Sequence, residues 1–400
     1  MTQDRQKWIV LALAAFTSLL VYAMPLLSLP VLFTEISEDL DLSLAQIGLV
    51  WGATSLASVL TSIFYGSIGD RLGARRTLTL ACLLVGLLGA LRGLSFDFAS
   101  FILTVGLNAL IAPAIPPNIH KIAGNWFADR RGFAAGIVSA GFALGLALGS
   151  GLSASVFSPL FGGWQRVMFF YGGLAILFAA LWFFLYPESE PEAMRQAPRA
   201  GSLTHSLRYL VGTRELWIIG LGTLFFWACY KGFSGYLPLY LKNSGWEPAR
   251  ADQAMASFYI ISLLGVLPLS VLSDRLHIKR ELMFGAVAVM AVGVLSISFA
   301  EGVLVWLALL VAGFFFDAYM AIHQAAVLEI QRIDYAVAGV ALGFNATLRE
   351  LGGFVSPPIG NWLAESDPAA PFVFWAIMGL LGAAILTRLP KRSLAAEFAD

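Results

Sequence analysis

The stretch "GSIGDRLGARR" (Gly66–Arg76) packs one acid, three arginines and three glycines between two long apolar runs. A related stretch, "SDRLHIKR" (Ser273–Arg280), lies between two further apolar runs. Asp70 and Asp274 are 204 residues apart, as are Arg71 and Arg275, and Arg76 and Arg280. A charged turn repeated at a fixed offset in so apolar a chain points to an internal duplication, an architecture familiar among transporters. The turn is tolerable only if the runs beside it sit in something other than water.

Composition supports that medium. The chain is 58% hydrophobic and 12% charged, about half the charge of a soluble domain. Too little polar surface exists to coat a soluble globule of 400 residues, so lipid is the expected solvent. Lys plus Arg balances Asp plus Glu at 25 each, which argues against a nucleic-acid partner. Cys82 and Cys229 fall inside apolar runs without metal-ligand spacing, and the four histidines are scattered, so no metal or cofactor is expected. Arg5 and Lys7 precede an apolar run, but 8–33 is too long for a signal peptide and reads as a first membrane helix.

A bilayer-crossing helix needs about 20 apolar residues. Twelve segments qualify: 8–33, 44–66, 77–95, 99–126, 133–157 and 167–186, then 216–241, 252–272, 281–300, 303–330, 336–362 and 371–388. With the amino terminus in the cytoplasm, 18 basic residues fall in inside segments and four (Arg92, Arg166, Lys242 and Arg250) outside. That bias places both termini in the cytoplasm. The longest inside connection carries "PESEPEAMRQAPRAGS". The expected architecture is all-α, with a six-helix bundle over 1–188, a cytoplasmic linker over 189–213 and a second six-helix bundle over 214–400.

Gly66, Gly69, Asp70, Arg71, Gly73, Arg75 and Arg76 resemble the loop G-x-L-x-D-R-x-G-R-R/K between spans 2 and 3 of the major facilitator superfamily. Ile68 replaces the leucine, and the second copy keeps Asp274, Arg275, Lys279 and Arg280 with His277 in place of glycine. The resemblance implies the pseudo-symmetric two-bundle fold. It also implies a conformational latch built from Gly66, Asp70, Arg71, Gly73, Arg75, Arg76, Asp274 and Arg275. In physical terms, the glycines permit a tight reversal. Asp70 can face a helix dipole or a basic partner, and the arginines hold this end in the cytoplasm.

Ionisable residues deep in a span cost at least about 2.5 kcal/mol each, so they mark function. Four occur, all in the second half: Lys231, Asp317, Arg349 and Glu350. At about 1.5 Å per residue, Lys231 lies roughly 22 Å from the inside end of its span, Asp317 roughly 21 Å from the outside end, and Arg349 and Glu350 about 20 Å from the inside end. Arg349 and Glu350 are about 100° apart around a helix, which argues against a simple pair along one face. Pairing of Asp317 with Lys231 or Arg349 is expected instead, either as an exchangeable network or as a fixed one that glues the half together. Span 4 carries Asn108, Pro113, Pro116, Pro117, Asn118, His120 and Lys121, and its prolines should free carbonyls near Asn118. His323 in span 10 could shuttle protons, but a hydrogen-bonded structural histidine is the expected reading. Span 5, "GIVSAGFALGLALGSGL", predicts close helix packing.

Within the family, "LGSGL" (Leu148–Leu152) lacks the proline of twelve-span drug antiporters. Spans 2 and 8 lack the arginines of nitrate porters, and "NWFADRRGFAAGI" (125–137) resembles the span 4–5 connection of bacterial small organic-anion facilitators. The resemblance implies a secondary transporter of a small organic anion, with protons as coupling ion, in the bacterial inner membrane and acting as a monomer. Lys231, Arg349, Tyr22, Tyr230 and Asn118 are the expected solute contacts, and Asp317 and Glu350 the expected proton-coupling acids. Proton-driven efflux of drugs or other hydrophobic metabolites is the alternative, and two cations balanced by two acids also suit a neutral solute. No G-x-x-x-x-G-K-[ST], H-E-x-x-H or G-x-S-x-G motif occurs, so neither ATP-driven transport nor a membrane enzyme is expected.

Overall fold

The computed structural model describes residues 3–186, 210–330 and 338–390, apart from the side chains of residues 3, 4, 62–72, 274 and 338. The linker around 189–213 and the side chains of Gly66, Asp70, Arg71 and Asp274 therefore lie largely or wholly outside the described residues. Among the described residues the structure is helical, with no strand.

Twelve rods follow the predicted spans. Six are α1 (Arg5–Asp39), α2 (Leu44–Leu72), α3 (Ala74–Leu91), α4 (Phe98–Trp126), α5 (Ala128–Phe161) and α6 (Trp164–Leu185). The others are α7 (Arg214–Asn243), α8 (Pro248–Leu276), α9 (Lys279–Ile297), α10 (Val303–Leu328), α11 (Ala338–Leu363) and α12 (Ala370–Leu386). Among the described residues, ten of them are long and apolar enough to cross a membrane, and α12 is a shorter apolar helix. α11 carries Asn345, Arg349 and Glu350 in its middle, which lowers its hydropathy. Large apolar side chains such as Phe96, Phe184, Leu267 and Phe299 are exposed, as lipid-facing side chains must be.

The chain divides into two compact units. The first comprises Met1–Pro198 with Leu241–Ala256, the second Arg199–Tyr240 with Ser257–Asp400. In the first, α1 and α5 meet along a seam of glycines one turn apart. A Cβ on Gly141 would stand 2.6 Å from the Ala15 carbonyl oxygen, on Gly145 2.7 Å from that of Leu19, and on Gly149 2.5 Å from that of Met24. Side chains are excluded there, so the backbones touch, as the small-residue pattern predicts. Both helices loosen into π-helical turns, Thr17–Ala23 in α1 and Ser153–Phe157 in α5. α4 breaks at Ala112–Ala114, just before Pro116 and Pro117. There the Asn118 side-chain amide donates to the Ala114 carbonyl of its own helix at 2.8 Å.

Of the basic residues expected in outside loops, Arg92 is buried and Lys242 half-buried. Arg92, 4% exposed, donates from Nε to the Gly89 carbonyl at 3.3 Å. Lys242 pairs with buried Asp252 at 2.8 Å and donates to the Val31 carbonyl at 2.7 Å, all within the first unit. The second unit has an aromatic core in which Phe226, Phe233, Phe258, Tyr319, Phe372 and Trp375 are fully buried.

The two related turns share one backbone feature. Gly73 has φ 77° and ψ 160° between α2 and α3, a region open in practice to glycine alone. His277, at the equivalent position between α8 and α9, also has positive φ, at 54°. The reversal persists where the glycine has been lost.

Candidate solute-binding site

The four deep charges all fall in the second unit, on α7, α10 and α11. Lys231 is 6% exposed and Glu350 7%. The side chain of Arg349 is 25% exposed. Arg349 and Glu350 pair directly, against the expectation from their adjacency. Arg349 donates to one oxygen, Glu350 Oε1, from Nε at 3.0 Å and from Nη2 at 2.7 Å. The physical reason is reach: Arg has a long flexible stem that spans the 100° between neighbours, which a rigid face-by-face argument ignores. The guanidinium also lies 4.7 Å from the centre of the Trp227 ring, a favourable cation–π position. Glu350 and Arg349 are both within Coulombic reach of Lys231.

Asp317 does not take the expected place beside Lys231 or Arg349. It closes on α8 instead: the Ser262 hydroxyl donates to Asp317 Oδ2 at 2.6 Å and accepts from the Asp317 backbone N–H at 3.0 Å. A small hydroxyl one helix away thus satisfies the acid without a cation. Tyr230 shares a hydroxyl hydrogen bond with Tyr259 at 2.9 Å and packs its ring 4.3 Å from Phe316. Trp227 stacks at 6.3 Å on the same Phe316. The charged cluster is therefore set in aromatic walls, a medium in which each charge–charge contact counts for more than in water.

Toward the start of α7 a second polar layer follows. Thr223 hydrogen-bonds the Tyr319 hydroxyl at 2.9 Å, and the His323 ring stacks on Tyr319 at 5.5 Å. His323 Nδ1 makes no well-aligned hydrogen bond among the described residues, although the Met320 and Tyr319 backbone of its own helix lies within reach of the ring. Asn345, one turn before Arg349 on α11, is 2% exposed, and neither of its amide atoms has a partner among the described residues. Asn345 and Ser262 are not singled out by their residue types. Asn345 carries a usable signal in its four-residue spacing from Arg349, whereas a serine in a membrane helix carries none.

The remaining expected residues are elsewhere. Tyr22 lies in the π-helical turn of α1, stacked on Phe142 at 5.8 Å, and Asn118 is buried in α4, both in the first unit. In the turn region, Arg75 donates from Nε to the Phe183 carbonyl at 2.8 Å and covers the Phe183 ring at 4.8 Å. Arg76 and Arg275 are exposed. In the second copy, Lys279 pairs with Glu329, and Arg280 donates to the Thr387 carbonyl.

The sequence model of the Major Facilitator Superfamily matches residues 11–357, with a further match over 245–398. The chain is 24% identical over 374 residues to the hexuronate transporter of Bacillus subtilis, spanning 86% of this chain and 85% of that protein. It is 23% identical to the cis,cis-muconate transport protein of Acinetobacter baylyi, spanning 90% and 88%. It is 24% identical to the 3-(3-hydroxy-phenyl)propionate transporter of Escherichia coli, spanning 91% and 90%. In three dimensions it resembles a crystallised nucleoside transporter with a TM-score of 0.77 at 16% identity, over 96% of this chain and 98% of that one. At that identity the likeness concerns the fold.

Proposed function

The chain belongs to the major facilitator superfamily, and on that footing we propose that it carries a small organic anion across the bacterial inner membrane by alternating access, with protons as coupling ion. It is a multi-pass membrane transporter of small solutes, not an enzyme. The relatives are named for hexuronate, muconate and hydroxyphenylpropionate, which are all carboxylates. The observation that carries the anion reading is the Arg349 guanidinium. It is a quarter exposed, directs two N–H groups at a single oxygen of Glu350, and sits against Trp227 with Lys231 nearby.

A solute carboxylate matches that guanidinium as well as Glu350 does, because bidentate Arg–carboxylate pairing is geometric as well as electrostatic. In this mechanism the solute replaces Glu350 on Arg349. A buried carboxylate deprived of its cation is costly to keep ionised, so Glu350 takes up a proton as the solute binds and returns it when the solute leaves. Asp317, held by Ser262, is the second proposed proton site. Tyr22 and Asn118 are the proposed solute contacts of the first unit, and Tyr230 and Lys231 those of the second. The paired charged turns act as the latch, with both termini in the cytoplasm and the monomer as the working unit.

Ligand-dependent melting of the purified protein tests the anion reading, since a ligand at 100 times its Kd stabilises by about 2.7 kcal/mol. Carboxylates are expected to raise Tm and organic cations to leave it unchanged. Stabilisation by cations alone discards the reading.

A further inference from the structure

Buried amide and imidazole atoms without partners are uncommon in folded proteins, because each forfeits its hydrogen bonds to water. Among the described residues of the second unit, such atoms on α7, α10 and α11 include Asn345 Nδ2 and Oδ1, Trp227 Nε1, and His323 Nδ1, which makes no well-aligned bond although the Met320 and Tyr319 backbone lies within reach. They form two layers one helical turn apart. Trp227 lies at the level of Arg349, whose guanidinium covers its ring. One turn back along α7, Thr223 bonds Tyr319, on which His323 stacks. Asn345 is one turn back from Arg349 along α11, and Arg349 is within Coulombic reach of His323. The spare hydrogen-bonding capacity of Asn345 and His323 thus lies about 6 Å along the helices from the guanidinium, at 1.5 Å per residue.

We propose that Asn345 and His323 form a second subsite that receives a hydroxyl on a carboxylate held by Arg349, so that the transported solute is a hydroxylated carboxylate. This rests on the reading of Arg349 as the carboxylate anchor. Chemistry selects the hydroxyl. Asn345 buries both a donor and an acceptor, and a hydroxyl is the small group that both accepts and donates. An apolar end would leave both amide atoms orphaned, and a second carboxylate would set an acceptor against Asn345 Oδ1. The spare Trp227 Nε1 is a donor only, which suits the carboxylate end. Asn345 and His323 are accordingly specificity determinants.

Calorimetric titration of the purified full-length protein tests this with two matched pairs: para-hydroxybenzoate against benzoate, and omega-hydroxyhexanoate against hexanoate. The hydroxylated member is expected to bind at least about tenfold tighter in one pair or both, as sites built to hydrogen-bond a hydroxyl reject the analogue lacking it. Which pair discriminates tells a phenolic from an aliphatic solute. Asn345→Leu is expected to reduce the ratio to about threefold or less, mainly by weakening the hydroxylated member, and Asn345→Ser to restore part of it. If Asn345→Leu does not fold, His323→Gln and Asn345→Ser carry the same comparison. Equal affinities within both wild-type pairs, or an unchanged ratio in the variants, overturn the subsite and leave the Arg349 anchor standing. Failure of all four compounds to bind the wild type overturns the anchor and the subsite with it.

Discussion

The buried amides of the first unit close on carbonyls of their own helix or a near neighbour, whereas a buried amide of the second, Asn345, finds no partner among the described residues. Asn108 donates to the Val85 carbonyl at 2.9 Å and Asn118 to that of Ala114. Trp182 Nε1 donates to the Thr17 hydroxyl, which in turn donates a hydrogen bond to the Leu13 carbonyl. In the second unit the comparable amide and indole, Asn345 and Trp227, have no such partners among the described residues, and Arg349, Glu350, Lys231 and Asp317 add charge. The rods therefore differ in what they bury: close backbone contact along the α1–α5 seam, and charged or unpartnered polar groups on α7, α10 and α11.

The sharpest way to break this contrast is to remove Arg349. Arg349→Gln strands the Glu350 carboxylate in an apolar setting, which costs about 3–5 kcal/mol and should show as a large fall in Tm. The double variant Arg349→Gln with Glu350→Gln should recover most of that stability, because the pair contributes little net once both charges are gone. Solute uptake should stay absent in both. Recovery of uptake in the double variant would mean that the pair is structural glue and that the solute binds elsewhere.

On the first unit's side, Gly145→Val should cost about 1–3 kcal/mol by overpacking, since its Cβ would stand 2.7 Å from a backbone oxygen of α1. Gly106, also helical but with nothing within 4 Å of where a Cβ would stand, is the control. Gly106→Ala should stabilise by about 0.5–1 kcal/mol through helix propensity. Equal melting shifts at the two positions would contradict the close seam.

Much of this architecture is legible in the sequence. Span lengths, the repeated turn and the glycine ladder at 141, 145 and 149 are one-dimensional signals, because lipid forces long apolar runs and backbone contact forces small residues. The residues bearing deep charge are equally visible, since each violates the solvent preference of its surroundings. Their partners are not. Arg349 bonds its immediate neighbour because of side-chain reach, and Asp317 bonds a serine that resembles any other membrane serine. Burial of Arg92 depends on packing beyond its own helix, and the π-helical turns have no sequence pattern of their own. Asn345 escapes notice because a neutral amide carries no charge penalty to flag it.

The smallest expected effect separates the two copies of the charged turn. Gly73, with φ 77° and ψ 160°, occupies a region that costs a residue bearing Cβ about 1–3 kcal/mol, so Gly73→Ala should destabilise by that amount. His277 already bears such a cost at φ 54°. Replacing it with glycine relieves about 1–2 kcal/mol of left-handed strain, offset by about 0.5–1 kcal/mol for the greater freedom of glycine in the unfolded chain. The net expectation for His277→Gly is a gain of about 0.5–1 kcal/mol, read as a modest rise in Tm beside the fall in Gly73→Ala. Opposite signs at equivalent positions would show that the second copy kept the reversal after losing the residue best suited to it. A fall in both variants would instead mean that the His277 side chain makes contacts worth more than its backbone strain.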